Sequence, residues 1–118
     1  MIQKEKELLL KDLSARLSYG VKINIDDDFP IVLNQISYSD GYIGGNNECY
    51  SLEHFVIKPY LFPLSSMTEE QKIRISAIQD MGPSYYHLLV DRYNEWHIDY
   101  RGLIPKGLAI DATGLNIY

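Results

Sequence analysis

The hydrophobic period changes twice along this chain, and that change limits the fold more than any single motif. In KEKELLLKDLSARLSYG (residues 4–20), Leu9, Leu13 and Leu17 recur at i, i+4 and i+8, and Leu10 widens the stripe. That spacing predicts an amphipathic helix, with Gly20 suited to the left-handed position past its end. The next five residues, VKINI, alternate Val21, Ile23 and Ile25 against Lys22 and Asn24, the period of a strand buried on one side. From Thr68 onward the helical period returns.

Between these limits the chain reads as extended. DDDFP (26–30) makes a charged turn and IVLNQISYS (31–39) a second strand. Asp40-Gly41 and GGNN (44–47) both carry turn chemistry, which leaves YI between them as at most a short strand. ECYSL and FVIKPYLFPL stay extended. Pro59 and Pro63 cannot donate ladder hydrogen bonds, which places that last segment at a sheet edge.

In SSMTEEQKIRISAIQ, Thr68 and Gln71 stand at capping-box spacing, and Glu69 and Glu70 lie where a helix dipole favours acids. Ile73 with Ala77, and Ile75 with Ile78, supply apolar stripes. MGP ends this helix, and Ser84 is placed to cap the next, YYHLLVDRYNEWH. The stripes Tyr85/Leu88/Leu89/Trp96 and Tyr86/Val90/Tyr93 predict a wide buried face. The expected fold is a single α+β domain over residues 1–118. It comprises an N-terminal helix, a small antiparallel β-meander (open or curled into a half-open barrel), two helices and a short C-terminal extended segment.

Composition narrows the function classes. With 11 Lys and Arg against 16 Asp and Glu, the formal net charge is −5, which argues against nucleic acid as partner, since phosphate neutralisation needs a basic surface. The lone Cys49 forms no internal disulfide and fits a reducing, cytoplasmic setting. No run reaches membrane-spanning length and the N-terminal charges do not resemble a signal peptide, so no membrane association is expected. Ten of the aromatic residues are Tyr, a type that serves both protein interfaces and half-buried sheet positions.

The chemistry-bearing residues do not assemble into a motif. His54, His87 and His97 lack ligand spacing, so neither a metal nor another cofactor is expected. Asp26-Asp27-Asp28 lacks the spaced oxygens, mid-loop Gly and terminal Glu of a calcium loop. GYIGGNN does not run into a helix as a phosphate-cradling loop does. No nucleophile, base and orienter stand in a recognisable set, so no catalytic residue is assigned; a hydrolase would have to use Cys49 or His97.

EWHIDYRGLIPKGLAID (95–111) concentrates His, Asp, Tyr and Arg among glycines. Asp99 is placed to cap a single helical turn in YRGLI, with Pro105 and Gly107 ending it and Arg101 pairing with Asp99 or with the carbonyls of the preceding helix. Tyr100 and Arg101, with Tyr42 and Tyr50 on the sheet, are the candidate interaction surface, because Tyr and Arg are frequent hot-spot residues.

Three stretches, ELLLKDLSARLSYGV (7–21), IKPYLFPLSSMTEEQ (57–71) and HIDYRGLIPKGLAIDA (97–112), give the chain a resemblance to small proteins encoded by phages and prophages of Bacteroides-type gut bacteria. Ser18 stands where that group often has Pro, and Phe62 where it often has Arg; the stretch between Asp26 and Glu53 matches poorly. The resemblance implies a mobile-element accessory protein and carries no established activity or ligand. The expected function is a non-enzymatic module that binds another protein. The alternative is capture of a small nucleotide-like ligand, as in phage anti-defence.

Overall fold

The leucine stripe forms α1, Gln3–Arg16, extended by a 3-10 turn at Leu17–Tyr19 and ended by Gly20 at φ 70°. Leu9 and Leu13 are fully buried and Leu10 nearly so, so the face read from spacing is the face that packs. This structure is a computed structural model and describes residues 2–118.

The extended region forms two sheets. The strands are β1 (Lys22–Ile25), β2 (Ile31–Val32), β3 (Gln35–Ser37), β4 (Tyr42–Gly45), β5 (Glu48–Ser51), β6 (Ile57–Leu61) and β7 (Ile110–Asp111). One sheet has the order β2-β1-β6-β7; the other is the meander β3-β4-β5. Neither closes into a barrel, and the fold is α+β as expected. The C-terminal extended segment pairs with β6 in parallel, which makes the first sheet mixed. Ile23, Val21, Leu33, Ile43, Leu61 and Leu103 join the α1 leucines in one core.

Several local expectations are corrected. IVLNQISYS is broken at Leu33-Asn34 into β2 and β3, which belong to different sheets. Gly44 and Gly45 lie inside β4, and the turn is made by Asn46 and Asn47 alone, at φ 53° and 63°. Asparagine tolerates that left-handed region because its short side chain bonds locally. Asn24 does not face water: its amide nitrogen donates to Tyr60 Oη at 2.9 Å and to the Asp28 carbonyl at 2.7 Å.

Pro59 is not at an edge. It pairs with Ile23 in β6, which has β1 on one side and β7 on the other. The register explains the tolerance. The Asp26 N–H bonds the Val56 carbonyl, so pairs of that parity are the hydrogen-bonded ones and Ile23/Pro59 is not. The imide nitrogen therefore points away from β1, and β7 begins pairing one residue later, at Tyr60. A missing donor costs nothing where no acceptor waits.

α2 (Glu69–Asp80) starts at the reciprocal Thr68/Gln71 box, with bonds of 3.1 and 3.0 Å. Ser84 does not cap α3; a 3-10 turn at Pro83–Tyr85 leads into Tyr86–Glu95. The wide buried face does not form either. Ile75 and Leu89 are buried, but Ile73, Tyr85 and Tyr86 are exposed. α2 and α3 make a hairpin that buries one stripe of each helix.

Candidate functional site

Asp12 lies one helical turn before Arg16 on α1, on the side facing the C-terminal corner. Arg16 donates through Nε to Asp12 Oδ2 at 2.8 Å and through Nη2 to Oδ1 at 3.2 Å, and both side chains are 0% exposed. Nη2 also donates to the Ile98 carbonyl at 2.7 Å. Arg101 arrives from the other end of the chain and donates through Nη1 to Asp12 Oδ1 at 2.9 Å. One buried carboxylate thus holds two guanidiniums and ties α1 to the C-terminal loop. This corrects the expectation that Arg101 pairs with Asp99 or with the carbonyls of the preceding helix: its partner is Asp12.

Tyr100 fills the space between these groups. Its ring stacks on Tyr93 at 5.5 Å, with the Arg101 and Arg16 guanidinium carbons 4.7 and 5.3 Å from its centre. Burial raises the Tyr100 hydroxyl above its ordinary range, opposed by Arg101, the neighbouring Asn94 amide and Arg16. Arg16 Nη1, Asn94 Oδ1 and the Tyr100 hydroxyl are buried, and none makes a well-formed hydrogen bond to another described residue. A buried polar group that stays unpaired costs about 1–3 kcal/mol.

The helical turn that Asp99 was expected to cap does not form, and Asp99 organises a loop instead. Its carboxylate accepts from the Leu103 and Ile104 N–H groups, both at 2.8 Å, and the segment is a run of turns with no assigned helix. Beside it lies a shallow groove of about 500 Å3 between Pro63–Ser65 and Asp99–Pro105, with Tyr100 and Arg101 in its wall.

The four candidate interaction residues are not brought into one surface. Tyr42 opposes Ser51 and Ile43 opposes Tyr50, so alternation puts Tyr42 and Tyr50 on opposite faces of the β4–β5 hairpin. Tyr42 is 44% exposed. Tyr50 packs edge-on against Phe55 at 5.3 Å and donates to Glu48 Oε2 at 2.8 Å. Only Tyr100 and Arg101 adjoin.

Sequence reading missed the hairpin of α2 and α3, where Ile73 is 68%, Tyr86 62% and Met81 50% exposed. The available signal was the second apolar stripe on each helix, more than one packing partner can cover.

No catalytic set is assembled from the hydrolase candidates. Cys49 is exposed on β5, and no hydrogen bond among the described residues joins it to His54. Asp26, Asp27 and Asp28 line a hollow of about 360 Å3 with Glu48 and Tyr50. Among the described residues no group of three or more His, Cys, Asp or Glu is placed to hold a metal ion. No described helix is long and apolar enough to cross a membrane.

His97 sits at φ 58° and stacks on Tyr118 at 3.8 Å, with its buried Nδ1 unpartnered. Burial, then the charges of Arg16 and Lys22, lower its pKa from 6.5 to about 4. The folded state therefore resists the proton that the unfolded chain accepts below about pH 6.5. Stability attached to His97 is complete above that pH and is lost as pH falls toward 4. Allowing for solvent screening at its open side, the loss is about 1–2 kcal/mol. Unfolding free energies from urea denaturation at pH 7.5 and 4.5 should differ in His97→Gln by that much less than in the wild type; equal pH dependence refutes the assignment.

Comparison with protein-family models, with curated proteins and with solved structures finds no match to this chain.

Proposed function

We propose that this protein is a non-enzymatic protein-interaction module whose main contact surface is the α2–α3 hairpin. The observation that carries the reading is exposure: Ile73 on α2, Tyr86 on α3, and Met81 and Tyr85 at the turn between them face solvent, while Ile75 and Leu89 are buried. Several large apolar side chains left exposed on one helical hairpin suit a surface that a partner covers. The resemblance over residues 7–21, 57–71 and 97–112 supports the further proposal of an accessory protein of a phage or prophage, working in the cytoplasm.

Stacking of a nucleotide-like ligand on Tyr100 is the weaker reading, because Tyr93 and the two guanidiniums already cover that ring.

A photo-crosslinking amino acid placed at Ile73 or Tyr86 in living cells should give discrete adducts, while the exposed Lys11 position on α1 gives none. The double variant Ile73→Glu/Tyr86→Glu should lose the captured protein with its stability within about 0.5 kcal/mol of wild type, since both sites are surface sites. Adducts that are the same at Lys11 as on the hairpin would reject the surface.

A further inference from the structure

We infer that the groove beside Arg101 is a second binding site, built for an extended peptide segment that presents an acidic side chain next to an apolar one. The cation supplies the first argument. Among the described residues Arg101 uses one N–H, toward Asp12; its Nε and second amino group have no protein partner and are not sealed from solvent. The side chain is 18% exposed, and Asp12 together with the Tyr100 ring holds the guanidinium in one orientation. A guanidinium fixed in this way presents a preorganised edge to a carboxylate.

The walls supply the second argument. Pro63, Leu64, Ile104 and Pro105 flank the groove, and Leu64 remains 44% exposed. An apolar trough with one cation in its wall is complementary to an apolar side chain adjoining a carboxylate.

The third argument selects a side-chain carboxylate over a terminal carboxylate or a phosphate. Terminal carboxylates are captured by successive backbone N–H groups, and phosphates by those or by clusters of arginines, whereas this groove has a single arginine. Here the Leu103 and Ile104 N–H groups are already taken by Asp99, and those of Gly107 and Leu108 by the Ile104 and Leu103 carbonyls. The loop's own acid takes the Leu103 and Ile104 N–H groups, and Arg101 is the one charged donor in the groove wall. Asp99 also lines the groove, but its oxygens are committed to those N–H groups, which blunts its repulsion of an incoming anion.

The test is a backbone-amide NMR titration of the full chain with acetyl-Pro-Leu-Glu-Pro-amide. Saturable shifts are expected at Leu64, Ser65, Tyr100, Arg101 and Gly102. The Gln analogue should bind about tenfold more weakly, the difference between a charge-assisted and a neutral hydrogen bond. Arg101→Gln should abolish the Glu preference. Leu64→Ser, on the opposite wall and clear of Asp12, should weaken both peptides alike, which keeps the test valid if Arg101→Gln unfolds. Absence of local shifts at about 10 mM peptide, equal affinity for the Glu and Gln peptides, or equally tight binding of inorganic phosphate or acetyl-Ala-Leu with a free carboxylate would overturn the proposal. The hairpin variant Ile73→Glu/Tyr86→Glu should leave these shifts unchanged, so this site and the hairpin surface stand or fall separately.

Discussion

Asp12→Ala should lower the stability of this protein by about 3–5 kcal/mol, a large part of the roughly 5–15 kcal/mol that holds an ordinary domain together. Among the described residues Asp12 is the one acid that pairs with Arg16, and both side chains are 0% exposed. Without it Arg16 keeps the Ile98 carbonyl as its single acceptor and becomes a buried charge lacking a counter-ion. Arg101, partly exposed, has the freedom to swing toward water; Arg16, on the inward face of α1, does not. The comparison variant is Lys6→Ala, which removes a surface pair to Glu53 at 3.5 Å and should cost about 1 kcal/mol or less. Urea denaturation with unchanged slopes gives both values. A loss for Asp12→Ala no greater than that for Lys6→Ala would show that the pair is hydrated in solution.

The same reasoning predicts that Asp12→Leu combined with Arg16→Met recovers most of that loss, because apolar residues of similar volume need no partners. If stability returns while the Arg101 guanidinium loses its fixed direction, the Glu preference of the groove should fall in that double variant. The buried pair would then serve mainly to aim Arg101.

What the sequence made legible was decided by range. α1 and the Thr68 cap are local: Leu9, Leu13 and Gly20, like Thr68 and Gln71, state their roles within one or two turns. Pro59 was misread because its tolerance depends on where β7 begins, about fifty residues away in sequence. Arg101 was misassigned for the same reason, since its partner Asp12 lies 89 residues earlier. Asp12 and Arg16 carry no sequence mark separating them from the surface i,i+4 pairs that any helix shows. Tyr100 was legible as a chemical type, but its two occupied faces were not.

The most instructive misreading concerns Gly45, where glycine was taken as turn chemistry. Gly45→Ala should destabilise the protein by about 2–3 kcal/mol, through contact with backbone that has nowhere to go. A Cβ built there lies 2.7 Å from the Val32 carbonyl oxygen and 3.0 Å from Ile31 Cδ1. Val32 belongs to β2 and Gly45 to β4, so this is the seam at which the two sheets touch. The Asn34 N–H to Gly44 carbonyl bond, 2.9 Å, closes the same seam one residue away. Gly44 differs in degree: its nearest neighbour is Gln35 Cβ at 3.0 Å, followed by Gln35 Oε1 at 3.3 Å, and only the latter can turn aside. Gly44→Ala should therefore cost less, and in both cases the stiffer unfolded chain of the alanine variant returns about 0.4–1 kcal/mol. Amide exchange at Asn34 separates the mechanisms. If the seam opens, that amide exchanges faster in Gly45→Ala than the fall in global stability requires; if Gly45 merely terminated a turn, it would follow the global value.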